Sequence, residues 1–362
     1  MSAPPARKRR ARLAASLLAL AALGGVWLAA PGLSAPEPAA PLAITVRAAP
    51  VPLDTSDPAR RAVGALQYRG GLHVTSEAAG FGGYSGLRLL PDGRLLTVSD
   101  RGHWLAARPV ETGGRLTGLT DATLGPLLDE AGQPLAAPAY DAEALEVVPE
   151  ADGLAFLVAF ERDHRIWRYA LPAASVEAGQ SPEPETDMLA ALRRPPRRVT
   201  GWLDDWPGPL PANGGIEAMA VSGTGAALLL AEDTSQGRMR LGSDAPWVPV
   251  TYRNVPGFKP TDAVFLPAEG RPLALVLSRH FSLMHGVAAV LELVDLDRVE
   301  DGVLAGVTLA RLAPPLSVDN MEAVAAARRA GGWDIYLMAD DNRIPLQRTL
   351  LLKFFLPETA VP

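Results

Sequence analysis

The chain has 362 residues, 34 of them Gly, 34 Pro and none Cys, with 48% hydrophobic and 20% charged residues. Without Cys, a disulfide scaffold, a thiolate metal site, an iron–sulfur cluster and a Cys nucleophile are all excluded. The formal charge is −6, but residues 1–35 hold five basic residues and no acid, which leaves 29 basic against 40 acidic residues in the body, a net of −11. A body this acidic is a poor nucleic-acid binder, since phosphate affinity comes from Lys and Arg, and no nucleic acid is expected as a partner.

In chain order, the first element is an address. Arg7, Lys8, Arg9, Arg10 and Arg12 precede 18 uncharged, mainly apolar residues at 13–30. That layout is an export signal or an N-terminal anchor, with the basic end left in the cytoplasm. Leu33-Ser34-Ala35 offers a cleavage site, and uncleaved, residues 13–30 are long enough for a membrane tether. The body is expected outside the cytoplasm, periplasmic or held at the outer face of the inner membrane. Residues 36–62, rich in Pro and Ala, read as a linker.

From residue 63 to 358 the chain repeats itself. Residues 85–101 (SGLRLLPDGRLLTVSDR) give an apolar strand, a Pro-Asp-Gly turn, a second apolar strand and a polar end. The same unit recurs at 143–162, 217–233, 262–279 and 322–341. Its openings, Ser85, Glu143, Glu217, Asp262 and Glu322, are 58, 74, 45 and 60 residues apart. Hairpins repeating at or above a ~40–50 residue period predict an all-β fold, a β-propeller whose blades cover one another's faces. Five repeats are visible, and about 295 residues at ~45–50 per blade predict six blades, the sixth lying near 290–312 or within 103–140. Residues 67–74 and 350–356 are expected to share a blade and close the ring. Residues 172–200 read as a surface insertion with a short helix at 185–194, ended by Pro195-Pro196. A monomer is expected.

Equivalent residues of a propeller converge at one mouth. Glu143, Glu217, Asp262 and Glu322, with Ser85 and Asn320, therefore predict a ring of oxygen ligands. Clustered carboxylates repel unless protons or a cation neutralise them, and hard oxygen donors suit a divalent cation, Ca²⁺ before Mg²⁺. The metal ligands are taken as Glu143, Glu217, Glu322, Asn320 and Asp340, the last from the acid-rich Asp340-Asp341-Asn342. For Ser85 and Asp262 a role as conformational punctuation at the strand start is preferred. Arg follows the closing acid or Ser in three repeats, so Arg101, Arg162 and Arg279 are candidates to hold an anionic substrate group. His103, His164 and His280 lie just beyond those arginines, and His103 and His280 are candidate acid–base groups beside Glu143 and Glu217. No Gly-x-Ser-x-Gly elbow or His-Glu-x-x-His motif occurs, so neither a Ser-hydrolase triad nor a zincin is supported.

These residues also carry a family resemblance. Tyr84-Ser85-Gly86-Leu87 with Ser-Asp-Arg-Gly at 99–102, Asp141-Ala142-Glu143-Ala144-Leu145, and Asn213-Gly214-Gly215-Ile216-Glu217 match the phytase-like family, labelled "esterase-like activity of phytase". Asn320-Met321-Glu322-Ala323-Val324 and the ADDN at 339–342 followed by QRTLLLKFFL complete the match. The resemblance spans about 64–357 and implies an exported propeller that hydrolyses esters or phosphoesters. Propeller phytases use several calcium ions held by acidic clusters. This chain departs from them in having only Lys8, Lys259 and Lys353, too few for a Lys-rich phosphate cradle. The expected function is therefore metal-assisted hydrolysis of a small phosphoester or carboxylic ester. The alternatives are a non-enzymatic propeller that binds a ligand or protein, and a lactonase-type propeller.

Overall fold

The computed structural model describes residues 37–150, 153–171, 187–267, 270–282, 286–344 and 346–361. The export signal or anchor at 1–35, the tether at 13–30 and most of the insertion at 172–200 lie outside the described residues. Four short N-terminal strands come first: β1 (Leu42–Ala43), β2 (Arg47–Pro50), β3 (Ala62–Val63) and β4 (Leu66–Thr75). The repeats then fold as the inner hairpins of antiparallel blades. Blade one is β5 (Tyr84–Leu89), β6 (Leu95–Ser99), β7 (His103–Thr112) and β8 (Arg115–Pro126). Blade two is β9 (Ala142–Glu150), β10 (Gly153–Phe160), β11 (Arg165–Tyr169) and β12 (Arg197–Arg198). Blade three is β13 (Ile216–Val221), β14 (Ala226–Ala231), β15 (Gln236–Leu241) and β16 (Val248–Arg253). Blade four is β17 (Lys259–Phe265), β18 (Leu273–Ser282), β19 (Gly286–Glu300) and β20 (Val303–Leu312). Blade five is β21 (Asn320–Arg329), β22 (Gly332–Asp340) and β23 (Leu350–Pro357), completed by β4.

Local chemistry sets each hairpin. Between β5 and β6, Leu90 N–H donates to Arg94 O at 2.7 Å, and Gly93 adopts φ +85°, a conformation glycine supplies without strain. Strands such as β14, buried along its whole length, are apolar throughout because each blade is covered on both faces. Five main apolar clusters follow, one between each pair of neighbouring blades. The innermost strands β5, β9, β13, β17 and β21 touch in that order, and β21 touches β5 again.

The propeller read from the repeats is therefore present, with five blades among the described residues and not six. The stretches expected to hold a sixth blade become the outer strands β7–β8 and β19–β20. Both pairs are long antiparallel arms that use the extra residues without adding an inner strand. The ring closes as expected, with Leu351 paired to Leu72 and Phe355 to Gln67 across β23 and β4. The outer edges of blades three and four also join through parallel β16 and β20. Residues 37–62 differ from a free linker. β1 pairs with β8 of blade one and β2 with β4 of blade five, so this segment covers two blade edges. Of the helix expected at 185–194, the described residues form a 3-10 turn at Ala190–Arg193, with Ala190, Ala191 and Leu192 buried.

The centre of the ring is filled. Arg88 of β5 is 3% exposed and donates from Nε to Glu146 Oε1 at 3.0 Å and from Nη1 to Asp262 Oδ2 at 3.0 Å. It also donates to the carbonyls of Leu87, Val324, Met219 and Ala263, so with Glu146 of β9 one guanidinium ties all five inner strands. Asp262 in turn accepts from the backbone N–H groups of Val324, Ala263 and Leu87, the punctuation role expected of it.

Candidate functional site

The inner hairpins share one irregularity. In every blade the register between the first two strands slips by one residue near the mouth, leaving Gly86, Glu143, Glu217, Thr261 and Glu322 as the extra residue. A β-bulge re-aims its side chain, and here it turns three glutamates into the mouth. The residue that follows the hairpin partner of each bulge is Ser99, Glu161, Glu232, Arg279 and Asp340. These two positions, five blades over, build the site.

Together they line a cavity of about 200 Å³ formed by Gly83, Ser85, Asp100, Glu143, Glu161, Asn213, Glu217, Glu232, Arg279, Glu322, Asp340 and Asn342. Its lining holds seven carboxyl groups and one guanidinium. Some acids are committed to the backbone. Glu161 Oε1 accepts from the N–H groups of Gly214 and Gly215, both at 2.6 Å, as the chain enters blade three. Asp340 accepts from Gly83, Tyr84 and Asn342, doing the same for blade one. The bulged glutamates are freer. Glu143 accepts from Ser85 Oγ at 3.1 Å, and Glu322 accepts from the Asn320 amide.

Such crowding raises the carboxyl groups. Burial, then the charges of Glu217, Asp141 and Glu161, pushes Glu143 well above the usual carboxylate range. Burial with Glu232 and Glu322 does the same to Glu217. Burial with Asp340 and Asp141 lifts Asp100 to about 7. Glu322 is lifted to about 8, chiefly by burial and against the opposing pull of Arg279. A carboxyl group raised in the fold favours its protonated form. Its stabilising effect is complete below the unfolded value near 4.5 and disappears as pH climbs through about 8. Chelator-treated protein is therefore expected to melt at a higher temperature at pH 5 than at pH 8, and saturating Ca²⁺ should flatten that difference. A thermal-melt series across this range checks both.

The donor set fits a hard cation. Oxygens of Asp141, Glu143 and Glu161 lie within 4.8 Å of one another, and Asp100 Oδ1 is buried with no hydrogen-bond partner. Of the expected ligands, Glu143, Glu217, Glu322 and Asp340 line the cavity, and Asn320 stands behind Glu322. Asp100, Asp141, Glu161 and Glu232 were not singled out as ligands. The signal for Glu161 and Glu232 was present in the repeat as its closing acid.

The expected convergence of three arginines is not formed. Arg279 alone lines the cavity. Arg101 pairs with Glu37, and Arg162, at φ +62°, turns to Asp141. Both stand one or two residues beyond the register position that Arg279 shares with Glu161. The histidines also stay outside the cavity lining. His103 begins β7, buried, with its ring against Gly80, and burial lowers its pKa. His280 places Nδ1 2.6 Å from Gly257 O and leans on Phe258, while His164 Nε2 lies 2.9 Å from Pro211 O.

The family model described as "Phytase-like: Esterase-like activity of phytase" matches residues 79–343. No curated protein matches the chain. Among similar solved structures, the PQQ-bound aldose sugar dehydrogenase of Streptomyces coelicolor is 12% identical, covers 88% of this chain and 100% of its own, and has a TM-score of 0.37. The Malassezia sympodialis allergen Mala s 1 is 14% identical over 80% of this chain and 88% of its own, with a TM-score of 0.38. Virginiamycin B lyase of Staphylococcus aureus is 7% identical over 86% and 100%, with a TM-score of 0.37.

Proposed function

The chain belongs to the phytase-like family, and from that membership together with its acidic mouth we propose that the protein hydrolyses an ester bond with the help of a divalent cation, Ca²⁺ before Mg²⁺. The observation that carries this reading is the convergence of Asp141, Glu143 and Glu161, with Glu217 beside them. Asp141, Glu143 and Glu161 would hold the cation. When bound, it supplies Lewis-acid polarisation of the ester oxygen and makes a water more acidic.

The chain's own groups do the rest. Ser85 orients Glu143 through its hydroxyl. Glu217, which lines the cavity with Glu161 and is raised by burial and by neighbouring acids, favours its protonated form and is the group assigned to give a proton to a departing alkoxide. Arg88 closes the channel beneath, so substrate enters and leaves through the mouth alone. Seven carboxyl groups against one guanidinium repel a phosphate dianion more than an uncharged ester. With Arg101 and Arg162 already paired, a carboxylic ester is the favoured substrate over a phosphoester, and a lactone is an internal case of it. The basic-then-apolar segment at 1–35 supports work outside the cytoplasm.

Glu217→Gln tests the assignment. Turnover of an uncharged aryl ester is expected to fall about 10²–10⁴-fold, the usual size of a lost acid–base group. The metal-free melting temperature should hold or rise, because one ionisable group has gone from a crowded acidic cavity. A lowered melting temperature with turnover retained would make Glu217 a brace and not a working group.

A further inference from the structure

Around the mouth, blades two, three and five each present two carboxyl groups, from the bulge and from the closing position: Glu143 with Glu161, Glu217 with Glu232, and Glu322 with Asp340. Blade one, with Gly86 and Ser99 at these positions, presents none, and blade four presents a cation instead. Its bulge residue is Thr261, whose hydroxyl is spent on the Leu277 and Met321 carbonyls, and its closing residue is Arg279.

Arg279 reaches to both neighbouring blades. Nη2 donates to Glu232 Oε1 at 3.0 Å, Nη1 to Asn320 Oδ1 at 2.8 Å, and Nε lies 3.4 Å from Glu322 Oε2. Lys259 adds a second positive charge at the rim, paired with Asp233. Two of the five N–H groups of Arg279 thus donate to protein oxygens, and its charge lies against carboxyl groups of blades three and five. The side of the cavity away from Arg279 is different. There Asp141, Glu143 and Glu161 converge, and Asp100 Oδ1 has no partner.

We propose that Arg279 is a resident cation standing where a second metal ion would otherwise sit between blades three and five. It limits the site to one exchangeable divalent ion, held on the blade-two side. Its role is to hold a fixed positive charge against Glu232 and Glu322. This inference rests on the cation reading above and adds stoichiometry and asymmetry to it.

Calcium titration of the chelator-treated full chain by calorimetry tests it. Wild type and Arg279→Lys should each bind one Ca²⁺, and Arg279→Gln should bind two. If that variant folds only in millimolar Ca²⁺, the slope of its melting temperature against log [Ca²⁺] counts the ions instead and should be about twice the wild-type slope. One ion in both wild type and Arg279→Gln overturns the role of Arg279 and leaves the cation reading standing. Two ions in wild type also overturn it. No binding by wild type overturns the cation reading itself.

Discussion

Arg88→Met is expected to be the most destabilising single change in the propeller, at about 3–5 kcal/mol, the cost of breaking a buried ion pair by removing one partner. Asp262 is 0% exposed and Glu146 4%, so neither carboxylate can turn to water when the guanidinium goes. Four inner-strand carbonyls lose their donor at the same time. At about 2 cal/mol/K per residue over roughly 300 residues, the loss corresponds to a melting temperature lower by about 5–8 °C. Adding Asp262→Asn and Glu146→Gln should recover part of it, because amide groups still accept from the strand N–H groups without carrying charge. A single Arg88→Met within 1 °C of wild type would mean that the channel is not held by this triad.

The same bulge explains what could and could not be read from the residues. Apolar strands broken by Gly turns, with an acid at a recurring place, were enough for the propeller, its closing strands and the glutamates at 143, 217 and 322. Counting blades by length was not enough. β19, at 15 residues, and the arms around it lengthen one blade without adding another. Register was the second obstacle. A bulge inserts one residue without marking the sequence, so Ser85 and Asp262 align with the glutamates by eye while Gly86 and Thr261 occupy their place in the ring. That single step sends Asp262 down the channel to Arg88. It also lifts Arg279 into the closing position while Arg101 and Arg162 fall outside it. Histidines one or two residues further on fall outside for the same reason.

Stripping the protein of divalent ions is expected to lower ester hydrolysis at least 100-fold, and Ca²⁺ should restore it. Seven carboxyl groups and one guanidinium cannot all stay ionised in a cavity of about 200 Å³ without a counter-ion or bound protons. An ion that binds the folded chain alone adds stability by mass action, roughly 4 kcal/mol at about 1,000 times its Kd. Spread over the same ~300 residues this is a melting temperature higher by about 6 °C. Glu143→Gln should lose both the restoration and most of the thermal shift. Glu358→Gln, at an exposed ion pair with Arg328, should lose neither.

The most direct measurement is anomalous diffraction from crystals grown with Mn²⁺, a hard ion that accepts the same carboxylate donors. The account predicts a peak at the mouth, among Asp141, Glu143 and Glu161 and within about 2–2.6 Å of at least two of their oxygens. A cavity with no peak at saturating Mn²⁺, in protein that still hydrolyses the ester, would contradict it.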